Sequence, residues 1–388
     1  MSQREQQLPA LRLGLVGPVP PPNGGMAMQT RQLARLLESE GVSVQLLATN
    51  GPYRPAFAGR VPVLRALFRL LPFLVELWRL TGRVDVIHLM ANSGWSWQLH
   101  AAPTLWLGWL RSTPVVVNYR GGEAQTYFQR SFRRVRPSLS KAADVVVPSG
   151  YLQSVFRQFG ETARIIPNII DRGLFHPGAP DKSDTDAGHH TGPHTNPGPD
   201  RFTLVITRNL EPIYGIDTAI RAFAQAFSAD PTLRLRIAGS GPSENALKAL
   251  VQQLGLADAV AFVGRLDRPG IVALYAEADA MLNPSTVDNM PNSVLEALAC
   301  GIPVISTDVG GVPFVVDHRK TALLVPASDV AAMAGAISEL RGDGALRRTL
   351  SANGLADIEQ YTWARVRQQW LGLYTSLCRP QAQHKEVT

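Results

Sequence analysis

The chain has 388 residues, 45% hydrophobic and 18% charged, with 38 Lys and Arg against 31 Asp and Glu for a formal net charge of +7. That length is too great for one ordinary core and suits two domains in a globular, soluble protein. The positive balance would draw the chain to an anionic surface or ligand, but no zinc-finger spacing, RNP-like aromatic motif or long basic tail supports nucleic acid.

From the N-terminus, MSQREQQLPALRLGLVG is polar and then strand-like, with no small-residue cleavage pattern behind a long apolar core. The two cysteines, Cys300 and Cys378, match no metal spacing and suit a reducing compartment, so a cytoplasmic location is expected. Six apolar runs in the first half read as strands, at 11–17, 42–48, 85–90, 114–119, 144–149 and 164–168. Residues 60–83 place Arg65, Arg69, Arg79 and Arg83 at helical spacing on an apolar ribbon interrupted by Pro72. The ribbon is either a helix packed on the first sheet or a basic segment lying on an anionic membrane surface; its charges argue against a spanning helix.

Residues 180–200 are almost devoid of apolar side chains and read as a linker or insertion, in which His189, His190 and His194 are expected to be solvated. Six more strand candidates follow at 202–207, 233–239, 260–264, 279–284, 302–307 and 322–326. Continuous Val, Ile and Leu runs separated by helices imply parallel sheets covered on both faces, and hence two doubly wound α/β domains. The expected division is 1–180, a linker at 181–200, a second domain at 201–360, and a C-terminal helix with a frayed tail at 361–388. That last helix suits a place on either domain.

The segment Asn283–Gly311 carries the chemistry. A buried strand ends at Pro284, Pro291 suits the first turn of a helix, VLEALAC has helical spacing, and Gly301 suits the position just past its end. The helix therefore begins at the carboxyl end of a strand, where open α/β sheets place ligands. Free N–H groups at Asn292, Ser293, Val294 and Leu295 would attract phosphate. Asp288 and Glu296 flank them and can accept hydrogen bonds from sugar or ribose hydroxyls. A plain helix start, with Glu near the positive end of the dipole and Asp as a turn former, is the competing reading.

The phrase DNMPNSVLEALACGIPVIST resembles the signature of retaining glycosyltransferases of the GT-B fold, family 4, usually Glu, seven residues, then Glu. GPVPPPNGGMAMQTRQLARLL resembles the family's first Gly-rich loop, and ADVVVPSG, IIPNIIDRGLFHP, LRIAGSGP and FVGRL extend the likeness along nearly the whole chain. The resemblance implies a GT-B architecture of two Rossmann-like domains facing across a cleft. It also implies glycosyl transfer from a nucleotide diphosphate sugar to a carbohydrate or lipid-linked acceptor, with cell-surface polysaccharide assembly the expected setting.

By the same resemblance Glu296 holds the donor ribose, Asp288 contacts the donor sugar, and Gly264 and Arg265 line the base. Gly24 and Gly25 offer backbone donors at the start of a helix. The family's Arg and Lys phosphate clamp departs here to TRNLEPIYGID, which leaves Arg208 as the expected cation and Tyr214 at the Lys position. Arg120 replaces the usual His before Gly in VNYRGGEA. No cofactor is expected beyond the donor as co-substrate, and no acidic metal motif occurs; no separate general base can be named, and in the resembled family the departing phosphate often takes the acceptor proton. Two rivals stay open on these residues, a non-catalytic nucleotide-sugar-binding subunit and an epimerase or phosphorylase of the same fold.

Overall fold

The computed structural model describes residues 11–21, 24–51, 62–178 and 201–378, with backbone alone at 62–69. The expected linker with its histidines, Asn23 and the tail beyond Cys378 lie outside the described residues. The chain divides into two compact units, one formed by Met1–Asn168 with Val366–Thr388 and the other by Ile169–Arg365.

The first unit alternates β1 (Arg12–Gly17), α1 (Gly25–Ser39), β2 (Ser43–Ala48), α2 (Pro62–Thr81), β3 (Val86–Ala91), α3 (Ala102–Leu110), β4 (Val115–Tyr119), α4 (Ala124–Leu139), β5 (Asp144–Val147), α5 (Gly150–Gln158) and β6 (Arg164–Ile165). Its six strands are parallel in the order β2-β1-β3-β4-β5-β6. All residues of β3 and β4 are buried, as expected for runs of Val, Ile and Leu covered on both faces.

The second unit alternates β7 (Phe202–Thr207), α6 (Ile216–Ala229), β8 (Leu233–Ala238), α7 (Glu244–Gln253), β9 (Val260–Gly264), α8 (Arg268–Ala276), β10 (Ala280–Asn283), α9 (Asn292–Ala299), β11 (Val304–Thr307), β12 (Ala322–Val325), α10 (Val330–Gly342) and α11 (Gly344–Asp357). The strands are again parallel, ordered β12-β11-β10-β7-β8-β9. Each of the twelve apolar runs becomes a strand, and the hydrophobic side chains of the second sheet feed two cores, one on each face. Sequence order reverses between β7 and β10, which makes the carboxyl ends of those two strands the natural place for a ligand.

The first unit ends earlier than residue 180. Ile170 and Phe175 are buried in the core of the second unit, and Ile170 N–H donates to the Tyr361 carbonyl (2.9 Å). A last helix, α12 (Trp363–Leu377), belongs to the first unit from Val366 onward. There Trp370 and Tyr374 are buried against His88 of β3.

Candidate active site

Arg208 leaves the carboxyl end of β7, and the loop after β10 delivers Ser285 and Asp288 before α9 begins at Asn292. Two glycines let the backbone close around them. Gly310 has φ +55, and a Cβ there would overlap the Asp288 carbonyl; Gly311 N–H donates to that same oxygen (2.8 Å). A Cβ on Gly239 would overlap the Arg208 carbonyl. Below the loop, Asn283 Nδ2 donates to Ser306 Oγ (2.9 Å) and Thr307 Oγ1 to the Ser285 carbonyl (2.5 Å), so the buried polar floor is hydrogen-bonded.

The Arg208 guanidinium pairs with the Asp288 carboxylate, the two side chains being only 12% and 10% exposed. It also donates to Ser285 Oγ (3.2 Å) and Ser293 Oγ (3.4 Å). Tyr214, at the position where the family carries Lys, lays its ring 4.2 Å from Arg208 Cζ. That cation–π contact orients the guanidinium. The next residue, Asn209, turns away to Glu211 (3.2 Å). One nitrogen of Arg208 bonds to nothing: Nε is buried and has no hydrogen-bond partner among the described residues.

At the start of α9 the free donors are fewer than expected. Pro291 is the residue before the helix rather than part of its first turn. Its carbonyl accepts the N–H groups of Val294 (3.2 Å) and Leu295 (3.3 Å), because the turn tightens there. Two of the four anticipated N–H groups are therefore engaged. Ser293 contributes its side chain to Arg208 instead.

Glu296 is half-buried one turn into α9. Burial pushes its carboxyl up to about 7, against the opposing pull of Arg268 and Arg208. Tyr275 Oη donates to the Ser293 carbonyl (3.1 Å) and lies 2.7 Å from Thr207 Oγ1, which ties the end of β7 to the first turn of α9. Neither Tyr275, Ser285 nor Arg268 stands out in the sequence, since each acts through a partner remote in the chain. Gly264 ends β9 with φ +73, and its carbonyl accepts from Gly239 N–H (2.8 Å); Arg265 is exposed. Among the described residues no hydrogen bond or ion pair joins either to the side chains of the Arg208 cluster.

The remaining candidates belong to the first unit. Gly24 precedes α1 and Gly25 opens it, both accessible. The proline loop beside them is held by Asn50, which accepts from Val19 N–H (2.8 Å) and donates to the carbonyls of Val19 (2.6 Å) and Pro21 (3.0 Å). Arg120 follows β4 and donates from Nε to Asn118 Oδ1 (3.1 Å) and from Nη1 to Asn168 Oδ1. Burial lowers it to about 10, so it stays cationic at neutral pH.

Comparison with known proteins bears on both units. The family described as Glycosyltransferase Family 4 matches residues 23–174, and Glycosyl transferases group 1 matches residues 193–357. A D-inositol 3-phosphate glycosyltransferase of Acidothermus cellulolyticus is 28% identical over 90% of this chain and 85% of its own. The sucrose-phosphate synthase of Thermosynechococcus elongatus superposes with a TM-score of 0.74 at 24% identity, over 95% of this chain and 99% of that one.

The chain is a glycosyltransferase of the GT-B fold.

Two further similarities add context to this glycosyltransferase. An exopolysaccharide phosphotransferase of Streptomyces coelicolor is 37% identical over 45% of the chain, which spans only 19% of that protein. The HepE protein of Anabaena, solved with UDP-glucose, superposes with a TM-score of 0.69 at 18% identity, over 94% and 99% of the two chains.

Proposed function

We propose that this glycosyltransferase moves a sugar from a nucleotide diphosphate sugar to a hydroxyl of a carbohydrate or lipid-linked acceptor, with retention of anomeric configuration, in the assembly of a surface polysaccharide. The observation that carries the reading is Arg208: a buried cation whose Nε is unsatisfied, at the strand-order reversal and against the first turn of α9. The bond from the anomeric carbon to the acceptor oxygen forms as the bond to the leaving phosphate breaks, and the acceptor proton passes to that phosphate. Charge grows on the diphosphate, where Arg208 Nε–H and the start of α9 stabilise it. Asp288 holds Arg208 through Oδ2 and keeps Oδ1 for a donor-sugar hydroxyl. Glu296 accepts from the ribose, and Arg120 is the first unit's cation that we assign to the reaction.

UDP-glucose, held by the HepE protein, is the first donor to assay, followed by GDP and ADP sugars. Nucleoside diphosphate released only when an acceptor is present supports transfer; donor binding without release, or an altered donor without acceptor, refutes it. A product of inverted configuration refutes retention. The polysaccharide setting is favoured by the exopolysaccharide phosphotransferase similarity, and product analysis with oligosaccharide and lipid-linked acceptors tests it.

We also infer that this enzyme works on an anionic membrane surface, because α2 is apolar on two sides. Phe73, Leu77 and Leu80 are buried, whereas Leu71, Val75 and Trp78 form a second, exposed stripe. Arg79 and Arg83 of the expected basic ribbon are exposed beside it, and the side chains of Arg65 and Arg69 lie outside the described residues. On the adjoining α3, Trp106, Trp109 and Leu110 are exposed. Arg111 lies 4.5 Å from the Trp78 ring, and Lys141 lies 4.6 Å from Trp109 and 5.2 Å from Trp106. With exposed Arg130, Arg133 and Arg134 on α4, the face combines interfacial aromatics with cations, the pattern that suits anionic headgroups. No helix among the described residues is long and apolar enough to cross a membrane. Sedimentation with phosphatidylglycerol vesicles, absent with phosphatidylcholine vesicles, is expected; indifference to both refutes the inference, as does concentration-dependent dimerisation lost with the same tryptophans.

A further inference from the structure

Arg120 is held by a chain of buried polar groups that runs from β4 to the C-terminal helix, all within the first unit. Its Nε lies 3.1 Å from Asn118 Oδ1, Asn118 Nδ2 lies 3.0 Å from His88 Nε2, and His88 Nδ1 lies 2.7 Å from Tyr374 Oη. His88, Asn118 and Tyr374 are fully buried. Trp370, one turn before Tyr374, covers the imidazole at 4.8 Å between ring centroids.

The direction of the three bonds in this chain follows from the first, and Asn118 Nδ2 also donates to Met90 Sδ (3.6 Å), which packs 3.3 Å from His88 Nε2. A guanidinium only donates, so Asn118 turns its oxygen to Arg120 and its NH2 to His88. Nε2 of His88 therefore accepts, the imidazole proton sits on Nδ1, and Nδ1–H donates to Tyr374 Oη. Burial, with the charge of Arg120 adding to it, pulls His88 down to about 3, which keeps the ring neutral as this pattern requires. Three polar side chains buried where Val or Leu would pack cost free energy unless all are paired. Here each finds a partner, and the chain ends on the one cation of the first unit that the glycosyl-transfer reading uses.

We propose that Asn118, His88 and Tyr374 are positioning residues that fix the guanidinium of Arg120, so that α12 sets the orientation of that cation through a relay of one hydrogen-bond polarity. The proposal rests on the role assigned to Arg120 above, and the test separates the two. In the full chain, Tyr374→Phe removes only the terminal acceptor; kcat is expected to fall about tenfold with donor KM nearly unchanged, as for loss of an interaction made in the transition state. His88→Gln serves as the second variant should Tyr374→Phe fold poorly. Arg120→Lys should lower kcat further, and Arg120→Lys combined with Tyr374→Phe should be no slower than Arg120→Lys alone. If Arg120→Lys is fully active, the role of Arg120 fails and the relay with it. If Arg120→Lys is impaired while Tyr374→Phe and His88→Gln keep the parent kcat, or if the effects multiply, the relay alone is overturned.

Discussion

Replacing Glu296 with Gln removes a carboxyl that burial raises from an ordinary 4.5 to about 7. Between those values the folded protein keeps a proton that the unfolded chain has released, so stability falls as pH rises through that window and levels off above it. Gln cannot ionise and escapes the loss. At about 1.4 kcal/mol per pH unit the full gap corresponds to roughly 3 kcal/mol. Glu296 is only half-buried, and access to water reduces the expected gain to about 1–2 kcal/mol. Urea unfolding followed by far-UV circular dichroism should show Glu296→Gln more stable than the parent at about pH 8.5 and equal to it near pH 4. Intrinsic fluorescence is the poorer probe, because six of the seven tryptophans lie in the first unit. Donor affinity should move the other way. The ribose reading needs the ionised carboxylate, so parent affinity rises as pH passes up through about 7, while the variant binds weakly at every pH. A variant with unchanged donor affinity and no alkaline gain in stability would refute both arguments.

Arg208→Lys keeps the charge but loses Nε–H and the flat contact with Tyr214; kcat with a UDP sugar should fall roughly a hundredfold, the scale for removing one preorganised donor. Arg208→Ala leaves the Asp288 carboxylate buried and unpaired, and unfolding experiments should register a loss of roughly 3–5 kcal/mol. Gly310→Ala forces a side chain onto the Asp288 carbonyl at φ +55, which should cost roughly 1–3 kcal/mol and weaken donor binding in a titration. Trp106→Ala with Trp109→Ala should abolish sedimentation with anionic vesicles while leaving turnover of a soluble acceptor intact.

Strands were legible because buried parallel strands leave uninterrupted apolar runs, as in VVVNY of β4. The start of α9 was legible to within two residues because Pro291 and Gly301 mark the ends of a short helix. The pairing of Arg208 with Asp288 was not, since it joins residues 80 apart through a strand order that local pattern does not encode. Nor could spacing separate the buried stripe of α2 from its exposed one, because Phe73 and Leu77 repeat with the same period as Leu71 and Val75. Periodicity showed that α12 has an apolar face; it could not name His88 as what that face covers.

The return of α12 also fixes an order of assembly. The first unit is drawn from two stretches of chain that flank the second, and His88 stays uncovered until the last helix has been synthesised. The second unit is continuous and can close its sheet while its predecessor still waits for Trp370 and Tyr374. A nascent chain halted before α12 would carry an intact Arg208 cluster beside an open first core, and so be a better substrate for quality control than for sugar transfer.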